Sequence, residues 1–127
     1  MSLTFDALRE ANVTRLLELK DSKGEKAREL STPAWCMAAL AKFGLVANLL
    51  HQVDRGTYEI EDIRQELANE LADCVTYLDI LAYKAGVDLG EATARKWNAT
   101  SKRSGSDLRI SSTGESVIRR KLKGQEE

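Results

Sequence analysis

Glu66, Glu70, Asp73 and Tyr77 follow one another at intervals of four, three and four residues. On a helix, residues three or four apart are neighbours, so these polar groups share one narrow face. Carboxylates that close repel one another unless water, a cation or a basic side chain compensates them. The compensating charge therefore decides what chemistry the face can do. The stretch around it, from Ile60 to Gly86, reads as one long helix. Its apolar stripe at Ile63, Leu67, Leu71, Val75, Leu78 and Leu81–Ala82 runs beside the acidic face.

The segment before it supplies one candidate for that charge. Thr32-Pro33 marks a helix start, a capping hydroxyl followed by proline at the first helical position, and the helix runs on to stop at Gly56. Trp35, Leu40, Phe43, Val46, Ala47, Leu49 and Leu50 wrap around much of its circumference. The sequence thus predicts a helix nearly surrounded by protein, in a core or in a subunit interface. Ala38, Ala39, Ala41 and Gly44 permit close helix approach. Lys42 is the only charged residue between Trp35 and Gln52. An unpaired ammonium in such a helix is costly, so a partner is expected, and Glu70 and Asp73 are the candidates.

Two further helices complete the expected frame. Thr4 caps a first helix from Phe5 to about Lys20, with Phe5, Leu8, Val13, Leu16 and Leu17 on its apolar side. The charged stretch that follows reads as a loop to about Ser31, with room for one short helical turn, and Glu18, Asp21, Glu25 and Glu29 as solvated surface charges. Asp88 caps a last helix, Leu89 to about Arg103, closed by Ser104-Gly105-Ser106, after Gly86 closes the long one. Leu89, Ala92, Ala94 and Trp97 are its apolar positions, and Arg95, Lys96, Asn98, Lys102 and Arg103 load it with donors. Residues 1–110 form the expected all-α domain. Residues 111–127, with the basic run VIRRKLK, form a tail that is flexible or orders as a short helix on a partner.

The 127 residues, 43% hydrophobic and 31% charged, fit one ordinary globular domain. A net charge of −1 gives no general reason to expect nucleic-acid binding. Cys36 and Cys74 fall inside apolar helical patterns and read as buried thiols of a cytoplasmic protein rather than a disulfide. No apolar run is expected to approach the roughly 20 residues of a membrane span.

Taken in series, Glu70-Leu71-Ala72-Asp73, Tyr77-Leu78-Asp79, Gly86-Val87-Asp88-Leu89 and Arg95-Lys96-Trp97-Asn98 resemble the MazG-like branch of the all-α nucleoside triphosphate pyrophosphohydrolases. The resemblance extends from about Trp35 to Ile110. It implies a helical-bundle subunit assembled into homodimers or homotetramers. It also implies Mg2+-dependent hydrolysis of a nucleoside triphosphate to the monophosphate and pyrophosphate. By matching position, Glu70 and Asp73 correspond to the family's second acidic pair, the catalytic metal ligands. Lys96 and Asn98 correspond to its substrate-contacting residues, and Arg95 and Tyr77 join them as substrate-binding candidates.

The departure from the pattern matters as much. Where the family carries a first acidic pair in a motif of the form GExGExxN, this chain reads Ala41-Lys42-Phe43-Gly44-Leu45-Val46-Ala47-Asn48. Lys42 and Leu45 replace the two glutamates, so half of the implied metal shell is missing and one ligand has become a cation. Two functional expectations follow: a pyrophosphohydrolase of weakened or altered activity, or an inactive relative that binds a nucleotide or a protein, with Lys42 compensating Glu70 and Asp73 in place of the metal.

Other residues carry plainer readings. Leu45 is a packing residue of core or interface, and His51, without a ligand partner at suitable spacing, is a surface residue. Tyr77, Trp35 and Trp97 are packing residues unless a nucleotide base stacks on them. Asp79 stands evenly between a site residue and a surface charge.

Overall fold

The computed structural model describes residues 2–18, 29–111 and 118–119. The expected end of the first helix at Lys20, the loop with Asp21 and Glu25, and most of the basic tail lie outside those residues. Among the described residues four helices carry the fold: α1 Phe5–Glu18, α2 Thr32–Asp54, α3 Ile60–Lys84 and α4 Leu89–Arg103. The all-α expectation holds. One small addition to it is a two-residue antiparallel pairing of β1, Leu108–Arg109, with β2, Ile118–Arg119, which reaches into the tail.

Local chemistry sets the helix ends. Thr4 Oγ1 accepts from Ala7 N at 3.0 Å and Asp88 Oδ1 from Glu91 N at 3.1 Å, so both expected caps are in place. Such a cap contributes about 1 kcal/mol. The α2 start moves by one residue: Ser31 is the cap, its Oγ accepting from Ala34 N at 3.3 Å, and Thr32 is the first helical residue. Asp62 reaches back to accept from Glu59 N at 2.9 Å at the start of α3. At the far end of α3, Gly86 adopts a φ of 72°, which lets Val87 N donate to Ala82 O and Gly86 N to Tyr83 O. A residue with a Cβ is strained in that conformation, so glycine stops the helix there.

α2 and α3 form the main antiparallel pair. Trp35 and Lys42, seven residues apart on α2, meet Tyr77 and Glu70, seven apart on α3. Continuing that register places Leu49 across from Ile63, and both are buried. α1 lies against one side of this pair, with Leu16 in the buried cluster of Trp35 and Ile80, and Tyr77 and Leu81 packed around it. α1 also comes close to the first turn of α4: a Cβ on Gly90 would sit 2.9 Å from Phe5 Cβ.

The opposite side of the pair is apolar and open. Leu40 is 63% exposed and Phe43 58% on α2, while Leu71, Val75 and Leu78 are 43–48% exposed on α3. The geometry is simple. Phe43 and Leu50 each follow a residue on the α2 contact line, Lys42 and Leu49. Leu71 and Leu78 each follow one on the α3 line, Glu70 and Tyr77. One residue further is about 100° round a helix. For antiparallel neighbours the same sense of rotation places both sets on the same side of their common plane.

This corrects several expectations. α2 is not surrounded within the chain: of its seven named apolar residues, Trp35, Val46 and Leu49 are buried and the rest are exposed. Of the two settings expected for Leu45, core or interface, its 46% exposure excludes the core of this chain, and the α3 stripe splits between this chain's core and the open face. Cys36 is exposed and Cys74 half-buried, both as free thiols. α2 is also, by length and composition alone, apolar enough to cross a membrane, which overturns the expectation that no run approaches that length. Lys42, the one charge in its middle, is the reason that breaking the run at charged residues hides this.

Candidate functional site

Lys42 Nζ lies 3.2 Å from Asp73 Oδ2 and 4.0 Å from Glu70 Oε2. The expected ion-pair cluster is present. Three constraints build it: the apolar middle of α2 offers Lys42 no anion of its own, the antiparallel register brings residue 42 level with residues 70–73, and an i,i+3 spacing puts both carboxylates on the same face. The ammonium is also 6.0 Å from the centre of the Tyr77 ring, whose own position is set by edge-on contact with Trp35 at 5.9 Å and 76°. Hydrogen bonding and charge attraction from Asp73, with a smaller attraction from Glu70, hold the Lys42 ammonium above its ordinary titration range despite partial desolvation.

The cluster is half-open. The side chains of Lys42 and Glu70 are 29% and 20% exposed, and that of Asp73 is 49% exposed. Glu70 Oε2 is shielded from solvent and accepts no hydrogen bond; its compensation is the ammonium at 4.0 Å. Glu66, the first member of the acidic face in sequence, is exposed and takes no part in the cluster.

A divalent cation fits these residues poorly. Mg2+ demands near-octahedral oxygen ligation at about 2.0–2.1 Å. The space between the Glu70 and Asp73 carboxylates is approached by an ammonium carrying its own charge. Leu45, three residues on from Lys42, supplies no oxygen. Among the described residues no group of three or more His, Cys, Asp or Glu side chains is placed to hold a metal.

The α4 candidates are placed elsewhere. Arg95 Nη1 donates to Glu91 Oε1 at 2.7 Å on the exposed surface. Asn98 spends its carboxamide on the backbone of Ile110, donating to its carbonyl at 2.8 Å and accepting from its N–H at 2.7 Å. Lys96 lines a cavity of about 670 Å³ beside Trp97. Among the described residues no hydrogen bond, ion pair or ring contact joins Arg95, Lys96 or Asn98 to Glu70 or Asp73. His51 is exposed, as expected.

A second polar cluster was not legible as such. Asp79 is 1% exposed, which removes the surface-charge reading. Arg9 Nε donates to its Oδ1 at 3.1 Å and Asn12 Nδ2 to its Oδ2 at 2.9 Å, while Arg9 Nη2 donates to Val87 O at 2.9 Å. Tyr83 places its ring 5.8 Å from the guanidinium. The signal that could have located it is the setting of Asp79, a carboxylate between Leu78 and Ile80-Leu81, with Arg9 and Asn12 one turn apart on α1.

Compared with family models, with curated proteins and with solved structures, the chain finds no match.

Proposed function

We propose that this protein is a MazG-like relative in which Lys42 takes the place of the metal, so that it acts as a nucleotide-binding or protein-interaction homo-oligomer without pyrophosphohydrolase turnover. The observation that carries the reading is the Lys42 ammonium at 3.2 Å from Asp73 and 4.0 Å from Glu70. A cation there neutralises the acidic face from within, and Coulomb repulsion then opposes a divalent ion at the same place. The serial motifs on α3 and α4 support the family reading; Lys42 and Leu45 argue against its chemistry. A second reading, residual hydrolysis, draws on Glu70 Oε2, a shielded carboxylate oxygen without a hydrogen bond.

The test is Mg2+-dependent pyrophosphate release across a panel of nucleoside triphosphates. No release is the expected result, and turnover abolished by Glu70→Ala would overturn it. Lys42→Glu combined with Leu45→Glu should create a measurable Mn2+ affinity by calorimetry. Unchanged metal affinity in that variant would count against the alignment of these positions with the family motif.

The homo-oligomer part of the proposal has its own support. The open side of the α2–α3 pair presents Leu40, Phe43 and Leu50 alongside Leu71, Val75 and Leu78 as one apolar face. Contiguous patches of this kind mark interaction sites, and two copies packed through it would complete a four-helix core. Leu40→Glu with Phe43→Glu should raise the dissociation constant of the assembly at least 100-fold in sedimentation velocity. A wild-type chain that stays monomeric at 100-fold higher concentrations would refute the assembly.

A further inference from the structure

Lys96, a substrate-binding candidate by the family resemblance, lines a cavity on α4 of about 670 Å³, within the range of small-molecule sites. Its wall is one face of the helix, Thr93, Lys96, Trp97, Thr100 and Ser104, closed at one end by Leu108. Hydroxyl-bearing residues dominate this wall, yet most of their polarity is turned away. Ser101 Oγ donates to Leu108 O at 2.7 Å, Ser106 Oγ accepts from Leu108 N at 3.1 Å, and Ser104 Oγ donates to Thr100 O at 2.8 Å. The backbone absorbs these oxygens and leaves mainly carbon facing the cavity, with the Trp97 indole, 39% exposed, as its largest flat surface. Among the described residues the lining contains no carboxylate. The one charge that those residues contribute is the Lys96 ammonium, which has no ion-pair partner among them, one turn from the Thr93 hydroxyl.

We propose that this cavity binds a small planar aromatic anion, its ring stacked on Trp97 and its phosphate or carboxylate held by Lys96 and Thr93. A flat π-system suits an indole face, and a base–aromatic stack is worth a measurable affinity whatever the ring's identity. The lone ammonium at one corner of an otherwise apolar wall selects for a negative charge on that ring. The inference is independent of the role given to Lys42, because no residue of α2 or α3 lines the cavity.

Heteronuclear NMR tests it on the full chain, which has two indole N–H signals, those of Trp35 and Trp97. Trp97→Phe assigns them, and the 6% exposed Trp35 serves as the internal reference. Titration with phenyl phosphate and with a purine 5′-monophosphate should shift the Trp97 signal saturably and leave Trp35 in place. Inorganic phosphate and phenol should each bind at least tenfold more weakly than phenyl phosphate. Lys96→Ala should weaken phenyl phosphate binding at least tenfold, with Lys96→Arg retaining most of it. Absence of a Trp97 shift at millimolar probe, or an equal response to phenol, would overturn the proposal. So would a Trp97 signal that moves with protein concentration in the absence of probe, since a second copy would then cover the cavity. Because Lys96 and Trp97 are exposed, their substitution leaves the core intact, and failure here is separable from failure of the Lys42 reading.

Discussion

α3 carries two carboxylate clusters, and they are built to opposite specifications. Asp79, near its C-terminal end, is sealed: each carboxylate oxygen accepts from a different α1 side chain, and the residue is 1% exposed. Glu70 and Asp73, one to two turns before Tyr77, share one ammonium, and Asp73 is half in solvent. A buried carboxylate survives only with its hydrogen-bonding capacity filled, which makes Asp79 a fastener between α1 and α3. A half-open pair contributes little to stability and is free to be rewritten. The difference teaches where change is tolerated on this helix: the open cluster can exchange a side chain at little cost, whereas truncation at Asp79 leaves Arg9 Nε and Asn12 Nδ2 without their acceptor.

The sharpest way to break that contrast is Asp79→Ala. It should cost about 3 kcal/mol, the low end for breaking a buried pair because Arg9 is 26% exposed. The check is the midpoint of urea unfolding with an unchanged m-value. A loss below about 0.5 kcal/mol, the size of an ordinary surface change, would erase the distinction.

Gly90→Ala probes the same α1 docking from the other end. Helix propensity alone favours alanine by up to about 1 kcal/mol. The new Cβ would meet Phe5 Cβ at 2.9 Å, beside the backbone rather than at a flexible tip. The expected sign is therefore destabilising, by about 1 kcal/mol as α1 shifts. A stabilised variant would mean that α1 yields freely and that the Asp79 fastener alone holds it.

Asp73→Asn should leave the unfolding midpoint within error, in contrast to Asp79→Ala, because an exposed pair gains little in water. Lys42→Met has a pH signature. The raised pKa of Lys42 means that its contribution is fully present below the ordinary lysine value of 10.5 and is lost as pH rises through the higher folded value. The stability difference between wild type and Lys42→Met should be flat at neutral pH and shrink in strong alkali. A difference that changes between pH 6 and 8 would assign it to another group.

The sequence carried the local decisions well. Thr4 and Asp88 cap where their chemistry places them, and both ends of α4 fall where donors, caps and glycine put them. Lys42 was readable because a lone charge in an apolar helix must find a partner, and its partners were readable from i,i+3 spacing. The shift from Thr32 to Ser31 as cap reflects two adjacent hydroxyls with equal credentials. What could not be read was which apolar stripe faces this chain's own core. Periodicity gives a face but not its occupant, so Leu40 and Phe43 read equally as core or subunit interface, and Leu71 and Val75 as part of one continuous stripe. Asp79 was hidden for the related reason that its partners lie on α1, more than sixty residues away in the chain.

Asn98 carries a consequence for the end of the domain. By donating to and accepting from the same residue, its carboxamide treats Ile110 as a neighbouring strand would. Its side chain thus acts as a one-residue extension of the sheet, fixed to a helix. The amide of Ile110 should exchange with solvent only when α4 itself opens, seven residues past the helix's last turn. The cooperative unit of folding therefore extends past Arg103 at least to Ile110, and the short strand that follows Ser106 melts with the helix it leans on.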